Sequence, residues 1–167
     1  MPAKKKASPR TARDYLSADE FRVIDALRPA VAAMFREFEA DLQREQRMSH
    51  TEFTALMFLS EAPGRSLGLS ELAARCQQSL SAVSRTVGRL EAQGLVRREQ
   101  SVHDGRAYNA VLTDAGLSRL LQATPTHIGS VQRYLFDQLH GVDLRTLGEA
   151  LQRIAEGVTA DSPSPAR

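Results

Sequence analysis

Residues 95–112, LVRREQSVHDGRAYNAVL, constrain the fold more than any other stretch of this chain. Two short runs suited to β-strands flank a charged tip, in which Gly105 stands between Asp104 and Arg106. Gly94 immediately precedes them, at the position where a helix commonly ends. The stretch therefore predicts a β-hairpin that directly follows a helix.

The segment before this hairpin, residues 79–93, has the spacing of an amphipathic helix. One face is apolar and is lined by Leu80, Val83, Val87 and Leu90. The opposite face is small, hydroxylated or cationic and carries Ser81, Ala82, Arg85, Gly88 and Arg89. Such a face fits the major groove of double-stranded DNA, where arginine pairs with guanine and small side chains allow close approach. A solvated surface helix would show the same pattern, so the neighbouring elements decide between the two.

A second, shorter helix is predicted directly upstream. Residues 69–76, LSELAARC, form it with Ser70 as a plausible N-cap, and Ser79 caps the helix that follows. The predicted elements therefore follow the order of a winged helix-turn-helix module: helix, tight polar turn, helix, strand, charged tip and strand. In the tip, the Asp104 carboxylate can hold the Arg106 guanidinium in one orientation, which suits the narrow minor groove of DNA.

Long apolar helices are predicted on both sides of this module. One starts at Ser17, where Glu20 completes a capping box. Another starts at Thr113 and either continues through Pro125 or restarts after it, and a last helix follows a break near Gly141. The apolar stripes of these helices are so broad that they cannot remain exposed to water and must pack against another surface. Bundling within one chain is one solution; we favour the other, in which the first and last helices interdigitate between two protomers.

Such a dimer would place two copies of the module on one face of DNA. Its two-fold axis predicts a pseudo-palindromic operator whose half-site centres lie about 10 base pairs apart. The charge distribution also favours a nucleic-acid partner. Residues 65–106 carry seven basic and four acidic side chains, whereas residues 14–64 carry five basic and ten acidic ones.

The two ends of the chain are expected to be disordered. Residues 1–13 hold five basic and no acidic side chains, so we predict a disordered basic arm over residues 1–16, which either follows DNA phosphates or is simply solvated. Residues 160–167, rich in serine and proline, are predicted to be a disordered tail. No apolar run is long enough for a membrane span, and the predicted location is the cytoplasm.

In combination, these motifs resemble the multiple antibiotic resistance regulator (MarR) family. The resemblance runs through residues 69–116, with SELAARC, AVSRTVGRLEAQGLVRRE, the DGR tip and LTDAG, and it includes MSHTEFTALMFL at residues 48–59. The V-S-R-x-V-x-x-L-E-x-x-G-L-V pattern, together with D-x-R and L-T-x-x-G, is specific as a set. More loosely, the resemblance covers most of residues 18–158.

This resemblance implies a mainly α-helical fold with a small β wing. A winged helix-turn-helix lobe would occupy residues 49–112, and the helices of residues 17–48 and 113–159 would form a dimerisation region. The resemblance further implies an obligate homodimer that binds an inverted-repeat operator and often responds to a small ligand. We expect a transcriptional regulator that represses a nearby operon.

Carried over residue by residue, the resemblance assigns DNA contacts to the outer face of the second helix and to the wing. The candidates are Ser79, Ser81, Ala82, Ser84, Arg85, Arg89, Asp104 and Arg106, and we add Arg98 from the same basic module. Arg106 would enter the minor groove, oriented by Asp104. Gly88 departs from the family pattern and costs a helix about 1 kcal/mol relative to alanine. We interpret it as room for the backbone to approach DNA.

A cleft between the two regions is predicted to accept a small aromatic or apolar anion. Its candidate lining is Phe35, Phe38, His50, Phe53, Met57 and Leu117. His50, near the start of a helix capped by Ser49 with Glu52, is the expected polar contact. In the resembled family, such a cleft holds effectors that change the separation of the recognition helices. The same residues are also typical of a plain hydrophobic core.

The sequence does not favour catalysis. Its four histidines lack zinc-binding spacing, and neither a nucleophile elbow nor a phosphate loop is present, so we expect no enzyme activity, no cofactor and no metal. Cys76, the single cysteine, is interpreted as a buried structural thiol rather than a redox sensor. The remaining alternative is a winged-helix module that binds another protein and not DNA. The salt dependence of binding distinguishes a DNA-binding from a protein-binding module, because DNA binding weakens steeply as the ionic strength rises.

Overall fold

The computed structural model describes residues 15–100 and 108–160 of the chain. Its helices and strands, in chain order, are α1 (Ala18–Gln46), α2 (His50–Glu61), β1 (Ser66–Gly68), α3 (Leu69–Arg75), α4 (Leu80–Ala92), β2 (Val96–Gln100), β3 (Tyr108–Leu112), α5 (Asp114–Tyr134) and α6 (Leu144–Ala160). The predictions for residues 1–14, for the wing tip with Asp104 and Arg106, and for residues 161–167 lie outside the described residues. The predicted fold class, mainly α-helical with a small β wing, is confirmed.

Helix α1 opens at the predicted capping box. The Ser17 hydroxyl accepts a hydrogen bond from the Glu20 backbone N–H at 3.2 Å, and the Glu20 carboxylate accepts one from the Ser17 N–H at 2.8 Å. The helix continues through Pro29 and ends at Gln46, where Arg47 adopts a left-handed φ of 49°. Its 29 residues correspond to a length of about 43 Å. The helix is therefore long enough to extend well beyond the lobe that follows it.

The wing strands form where the hairpin was predicted. β2 and β3 are antiparallel, with Val96 opposite Leu112 and Gln100 opposite Tyr108. The strand β1 pairs with the other edge of β3, so that the sheet order is β1-β3-β2. The sequence pattern does not predict β1, because three residues are too few to show the alternation of a strand.

Two local predictions in the helix-turn-helix are wrong. Gly68, not Ser70, occupies the N-cap position of α3, and no side chain caps that helix. Leu80 is 51% exposed, because it is the first residue of α4 and lies at the edge of the core. Thr86 is buried beside the apolar residues of α4, and its hydroxyl donates to the Ala82 carbonyl at 3.2 Å.

One apolar core fills the lobe. The most deeply buried large side chains of α2, α3, α4 and β2 are Leu56, Leu59, Leu72, Val83, Val87, Leu90 and Val96. Leu42 of α1 and Leu120 of α5 belong to the same cluster. The lobe therefore shares its core with the adjoining ends of the two long helices.

The L-T-x-x-G motif marks the joint between the wing and α5. The Thr113 hydroxyl accepts a hydrogen bond from the Gly116 N–H at 3.0 Å, and the Thr113 N–H donates to the Leu95 carbonyl at 3.1 Å. A Cβ atom on Gly116 would overlap that same carbonyl oxygen and would stand 2.6 Å from a methyl carbon of Leu112. Only glycine fits at this position.

A buried carboxylate joins α1 to α5. The Ser130 hydroxyl donates to Asp41 at 2.6 Å, Arg44 lies 2.5 Å from the same carboxylate, and Arg133 lies 3.5 Å from it. The Ser130 hydrogen bond, together with the two arginines, lowers the pKa of Asp41 although burial opposes this shift. The carboxylate is therefore ionised at neutral pH and holds the two helices together.

The C-terminal part decides the alternative left open at Pro125. α5 continues through this proline as one helix of 21 residues. α6 begins after Asp143, whose carboxylate accepts a hydrogen bond from the Arg145 N–H at 2.9 Å. The apolar side chains of α6 that are more than half exposed are Leu151, Ile154 and Val158. Across the described ranges, no helix combines the length and apolarity needed to cross a membrane.

Candidate nucleic-acid interface

Helix α4 turns a polar face away from the lobe. Its buried residues are Val83, Thr86, Val87 and Leu90. Ser81 and Arg85 are exposed on the other side. The Ser79 hydroxyl caps the helix by accepting a hydrogen bond from the Ala82 N–H at 3.2 Å, and it lies 3.1 Å from the Ser81 hydroxyl. Two hydroxyl groups and one cation thus occupy the first two turns of the outward face.

The two arginines of α4 differ in their surroundings. Arg85 is exposed and makes no hydrogen bond or ion pair with another residue in the described part of the chain. Arg89 donates from Nε to a carboxylate oxygen of Glu52 at 3.0 Å and from Nη2 to the Thr86 hydroxyl at 3.3 Å. Arg85 is therefore available to an external partner, whereas Arg89 is already held by the protein.

Arg98 reaches back from β2 across α4. Its Nη2 donates to the Ser84 carbonyl at 2.8 Å, and its Nε lies 3.4 Å from a carboxylate oxygen of Glu91. A Cβ atom on Gly88 would stand 3.5 Å from the same Nη2, which is an ordinary van der Waals contact. The space that we assigned to DNA at Gly88 is thus bordered by the Arg98 guanidinium.

Glu52 links the start of α2 to α4. Its carboxylate accepts a hydrogen bond from the Ser49 N–H at 3.0 Å, and the Ser49 hydroxyl accepts one from the Glu52 N–H at 3.2 Å, which completes the predicted capping box. Burial alone would raise the pKa of Glu52, but the hydrogen bonds from Ser49 and Arg89 outweigh it and lower the pKa. Glu52 is therefore ionised where it meets Arg89.

The predicted contact residues differ in how far they are accessible. Ala82 and Ser84 are half-buried, so only part of each is available to a partner. Asp104 and Arg106, the predicted wing contacts, lie outside the described residues. Two of the predicted sets do come together: the Arg98 guanidinium contacts the Ser84 carbonyl, and the hydroxyls of Ser79 and Ser81 are neighbours at the start of α4.

The sequence pattern predicts neither of the two carboxylates that hold this surface. Glu52 of α2 pairs with Arg89, which lies 37 residues further along the chain. Glu91, near the end of α4, pairs with Arg98 of β2. Neither pair has the three- or four-residue spacing of a contact within one helix. No sequence signal of this chain therefore predicts them.

The predicted cleft residues divide into two groups. Phe35 and His50 border an open cleft of about 400 Å3, whose other lining residues are Thr54, Phe58, Arg75, Cys76, Gln77 and Gln78. Phe38 and Phe53 are buried, and Met57 and Leu117 pack against the core. Two of the six candidates therefore face the cleft, and four form the apolar interior behind it.

His127 of α5 completes an aromatic cluster behind this cleft. Its ring centroid lies 4.5 Å from that of Phe53, 5.4 Å from that of His50 and 5.5 Å from that of Phe38. Burial is the main reason why the pKa values of both histidines are lowered, so both rings are neutral at neutral pH. No spacing in the sequence pairs these two histidines, because they lie on different helices.

Cys76 is half-buried at the edge of the cleft, so the expectation of a buried thiol is wrong. Burial raises the pKa of its thiol, although a hydrogen bond involving Thr54 opposes the shift. The thiol is therefore protonated at neutral pH, and a protonated thiol is a weak nucleophile. Within residues 15–100 and 108–160, no three His, Cys, Asp or Glu side chains are grouped so that they could hold a metal ion.

Comparison with known proteins covers both the lobe and the flanking helices. A MarR family model matches residues 48–107. Sco3205, a MarR family transcriptional regulator from Streptomyces coelicolor crystallised in complex with DNA, is 35% identical with a TM-score of 0.79, over 89% of this chain and 95% of that one. AbsC, a MarR family transcriptional regulator from the same organism, is 33% identical with a TM-score of 0.78, over 87% and 98%.

A curated relative adds to these structures. The HTH-type transcriptional repressor YetL from Bacillus subtilis (strain 168) is 28% identical over 111 residues, which span 65% of this chain and 66% of the repressor, just under two thirds of its length. The fold and its relatives thus define a winged-helix protein of the transcriptional regulator class. The chain belongs to the MarR family, which confirms the resemblance carried by its motifs.

Proposed function

We propose that this protein is a sequence-specific transcriptional regulator that binds double-stranded DNA as a homodimer. The outward face of α4 carries the proposal, because Ser79, Ser81 and Arg85 are exposed within its first two turns. Hydroxyl groups and arginine near a helix N-terminus are suited to base edges and phosphates in the major groove. The crystallisation of Sco3205 with DNA supports the same kind of partner for this chain.

The proposed contacts have different roles. Arg85 would contact a base edge, since no other described residue engages its guanidinium. Ser79 and Ser81 would bind phosphate oxygens beside the helix start. Arg106, oriented by Asp104, would enter the minor groove.

Exposed apolar side chains on α1 and α6 support the homodimer. An apolar groove of about 590 Å3 lies between these helices and the segment that follows α5; among its lining residues are Leu27, Val31, Met34, Leu139, Leu147 and Leu151. A second copy that packs its own first and last helices here would remove these side chains from water. The dimerisation region would then comprise residues 17–48 and 113–159, and the DNA-binding lobe residues 49–112.

The protein would repress a nearby operon and be released by a small aromatic or apolar anion. The cleft beside Phe35 and His50 supports this, because aromatic rings and the cationic Arg75 border the same space. It lies between α1 and the helix-turn-helix. A ligand there would relieve repression only to the extent that it favours a spacing of the two α4 helices that does not fit DNA.

Selection of bound fragments from the source genome tests the proposal. We expect an inverted repeat to be recovered. On that duplex, the logarithm of the binding constant should fall by about 0.9 per neutralised phosphate for each tenfold rise in salt. Recovery of no duplex, or a binding constant that barely responds to salt, would contradict DNA recognition and favour a winged-helix module that binds protein.

Single substitutions then test the individual contacts. Arg85→Ala should relax base preference at a symmetric pair of operator positions, whereas Arg22→Ala, which removes the same charge from the start of α1, should not. Uniform weakening across sequences would make Arg85 a phosphate contact. Arg106→Ala should weaken operator binding by about 1–3 kcal/mol, with an unchanged circular dichroism spectrum.

A further inference from the structure

The ion pair between Glu52 and Arg89 joins the scaffold of the lobe to the helix proposed to contact DNA. Glu52 lies in the first turn of α2, and its side chain is 12% exposed, whereas that of Arg89 is 53% exposed. One partner is thus enclosed by protein and the other faces solvent. A carboxylate enclosed in this way has little freedom to leave its partner, unlike the carboxylates of fully exposed pairs.

Several bonds fix the geometry of this pair. One carboxylate oxygen of Glu52 accepts the Ser49 N–H, and the other accepts Arg89 Nε–H. Arg89 Nη2 donates to the Thr86 hydroxyl, which itself donates to the Ala82 carbonyl one turn earlier. The guanidinium is therefore held at two of its nitrogens, and Nη1 is the nitrogen without a partner among the described residues.

The neighbouring arginines show that this arrangement is specific to Arg89. Arg85, one turn earlier on α4, has no partner among the described residues. Arg75 pairs with Glu71 at 2.8 Å, but both belong to α3 and both side chains are more than a third exposed. Among the described residues, only the pair of Glu52 and Arg89 is an ion pair between α4 and another helix.

We propose that Glu52 is a positioning residue for DNA recognition, which holds Arg89 in one orientation and limits the attraction of α4 to DNA of any sequence. A side chain that is already ordered loses less conformational freedom when it binds. A carboxylate beside a cation also offsets the charge that attracts every phosphate backbone. Both effects raise the ratio of specific to non-specific binding. The inference rests on the proposed function.

Glu52→Gln separates positioning from folding. A capping box accepts glutamine as well as glutamate, so the amide oxygen can still accept the Ser49 N–H. The amide nitrogen then faces Arg89 Nε. Because both groups are hydrogen-bond donors, they form no hydrogen bond with each other. The substitution therefore releases Arg89 while it preserves the start of α2. Glu61→Gln is the matched control, because it removes the same charge from the exposed last residue of the same helix.

The experiment compares the affinity for a duplex selected from the genome with that for a shuffled duplex of equal length. For Glu52→Gln we expect the ratio of the two affinities to fall about threefold to tenfold, mostly because binding to the shuffled duplex strengthens. The salt dependence on the shuffled duplex should steepen by up to about one neutralised phosphate. Glu61→Gln should leave the ratio unchanged, and equal thermal melting of both variants would show that the lobe is intact.

A double-mutant cycle shows whether the effect passes through Arg89. In an Arg89→Ala background only the loss of the Glu52 charge remains, so Glu52→Gln should lower the ratio by clearly less than it does in the wild-type background. An unchanged ratio in the single variant, or an equal fall in both backgrounds, would overturn the positioning role while leaving DNA recognition itself standing. A wild-type protein that does not distinguish the two duplexes would instead contradict the proposed function, and the inference with it.

Discussion

The winged lobe and the far ends of the long helices use their apolar side chains in opposite ways. In the lobe, Leu56, Leu72 and Leu90 are completely buried. On the long helices, Ile24 of α1 and Ile154 of α6 are about 60% exposed. The lobe completes its core within one chain, whereas the helices leave an apolar surface open.

Geometry explains the difference. Three helices and a sheet enclose the core of the lobe from several sides, so a side chain there has neighbours in every direction. A 29-residue helix extends beyond any single neighbour, and a stripe on its far side can be covered only by another surface. The lobe is therefore stabilised by its own chain, whereas the far helical ends would be covered by a second copy in the homodimer proposed above.

Gly116→Ala should have the largest effect on stability, because Gly116 lies at the joint between the winged lobe and the long helix α5. The added methyl group would overlap the Leu95 backbone carbonyl, which cannot move without disturbing the wing. We expect the free energy of unfolding to fall by about 3 kcal/mol or more in urea denaturation. Gly129→Ala is the control on the same helix, since a Cβ atom there meets nothing and the helix should gain up to about 1 kcal/mol. Equal effects of the two substitutions would refute this account of the motif.

Ile154→Glu should affect the helices and spare the lobe. A charge buried in an apolar interface is costly, so we expect association to weaken by about 2–3 kcal/mol, roughly a hundredfold in the dimer dissociation constant. Sedimentation equilibrium measures this effect, and near-native helical content at high dilution would show that the lobe remains folded. Gln152→Glu introduces the same charge two residues away; it places a carboxylate beside that of Glu156, which costs the helix about 0.2–0.5 kcal/mol, but it should change association little. A dimer that tolerates Ile154→Glu would place the interface elsewhere.

Asp41→Asn tests the polar contact that holds the two long helices within one chain. Loss of the charge weakens the bonds from Ser130 and Arg44, so the free energy of unfolding should fall by about 1–3 kcal/mol at neutral pH. Because the pKa of Asp41 is lowered in the folded state, its stabilisation is complete above the unfolded pKa of about 4 and is lost as the pH falls through the folded value.

Urea titrations of wild type and Asp41→Asn, made at equal protein concentration over a series of pH values, measure this dependence. The difference between their free energies of unfolding should be constant at neutral pH and shrink in acid. A difference that stays the same down to the acid range would mean that the Asp41 charge contributes nothing.

Gly88→Ala should have the smallest effect on folding and is confined to the lobe. The methyl group would meet Arg98 at an ordinary contact distance, so we expect a gain of about 0.5–1 kcal/mol in the free energy of unfolding. Binding to the selected duplex should nevertheless weaken, because the methyl group stands on the face proposed to approach DNA. Unchanged binding would show that Gly88 serves only to accommodate the Arg98 side chain.

Local patterns were sufficient for most of the fold. The capping boxes at Ser17 and Ser49 set the starts of α1 and α2, because the groups that satisfy the free N–H donors lie three residues apart in the chain. The errors at Ser70 and Leu80 lie at the starts of helices: α3 begins at Leu69, one residue before Ser70, and the burial of Leu80, the first residue of α4, depends on the neighbouring elements. Pro125 was left open because a proline inside a helix removes one backbone hydrogen bond and can either bend the helix or end it.

The candidate site was predictable only in part. The amphipathic spacing of α4 placed Arg85 and Arg89 on one outward face, and both lie on it. That spacing carries no information about Glu52, which meets Arg89 from 37 residues away and makes the two arginines different. His127 joins the aromatic cluster from another helix in the same way.

The amino-acid sequence by itself determined the helices, the hairpin and the family, because hydrophobic periodicity, capping residues and turn glycines act over a few neighbouring residues. The tertiary structure alone decided which arginine of α4 is held by a carboxylate, which aromatic residues border the cleft, and which apolar side chains of the described residues remain exposed. These properties depend on distances between residues far apart in the chain, and such distances exist only once the chain is packed.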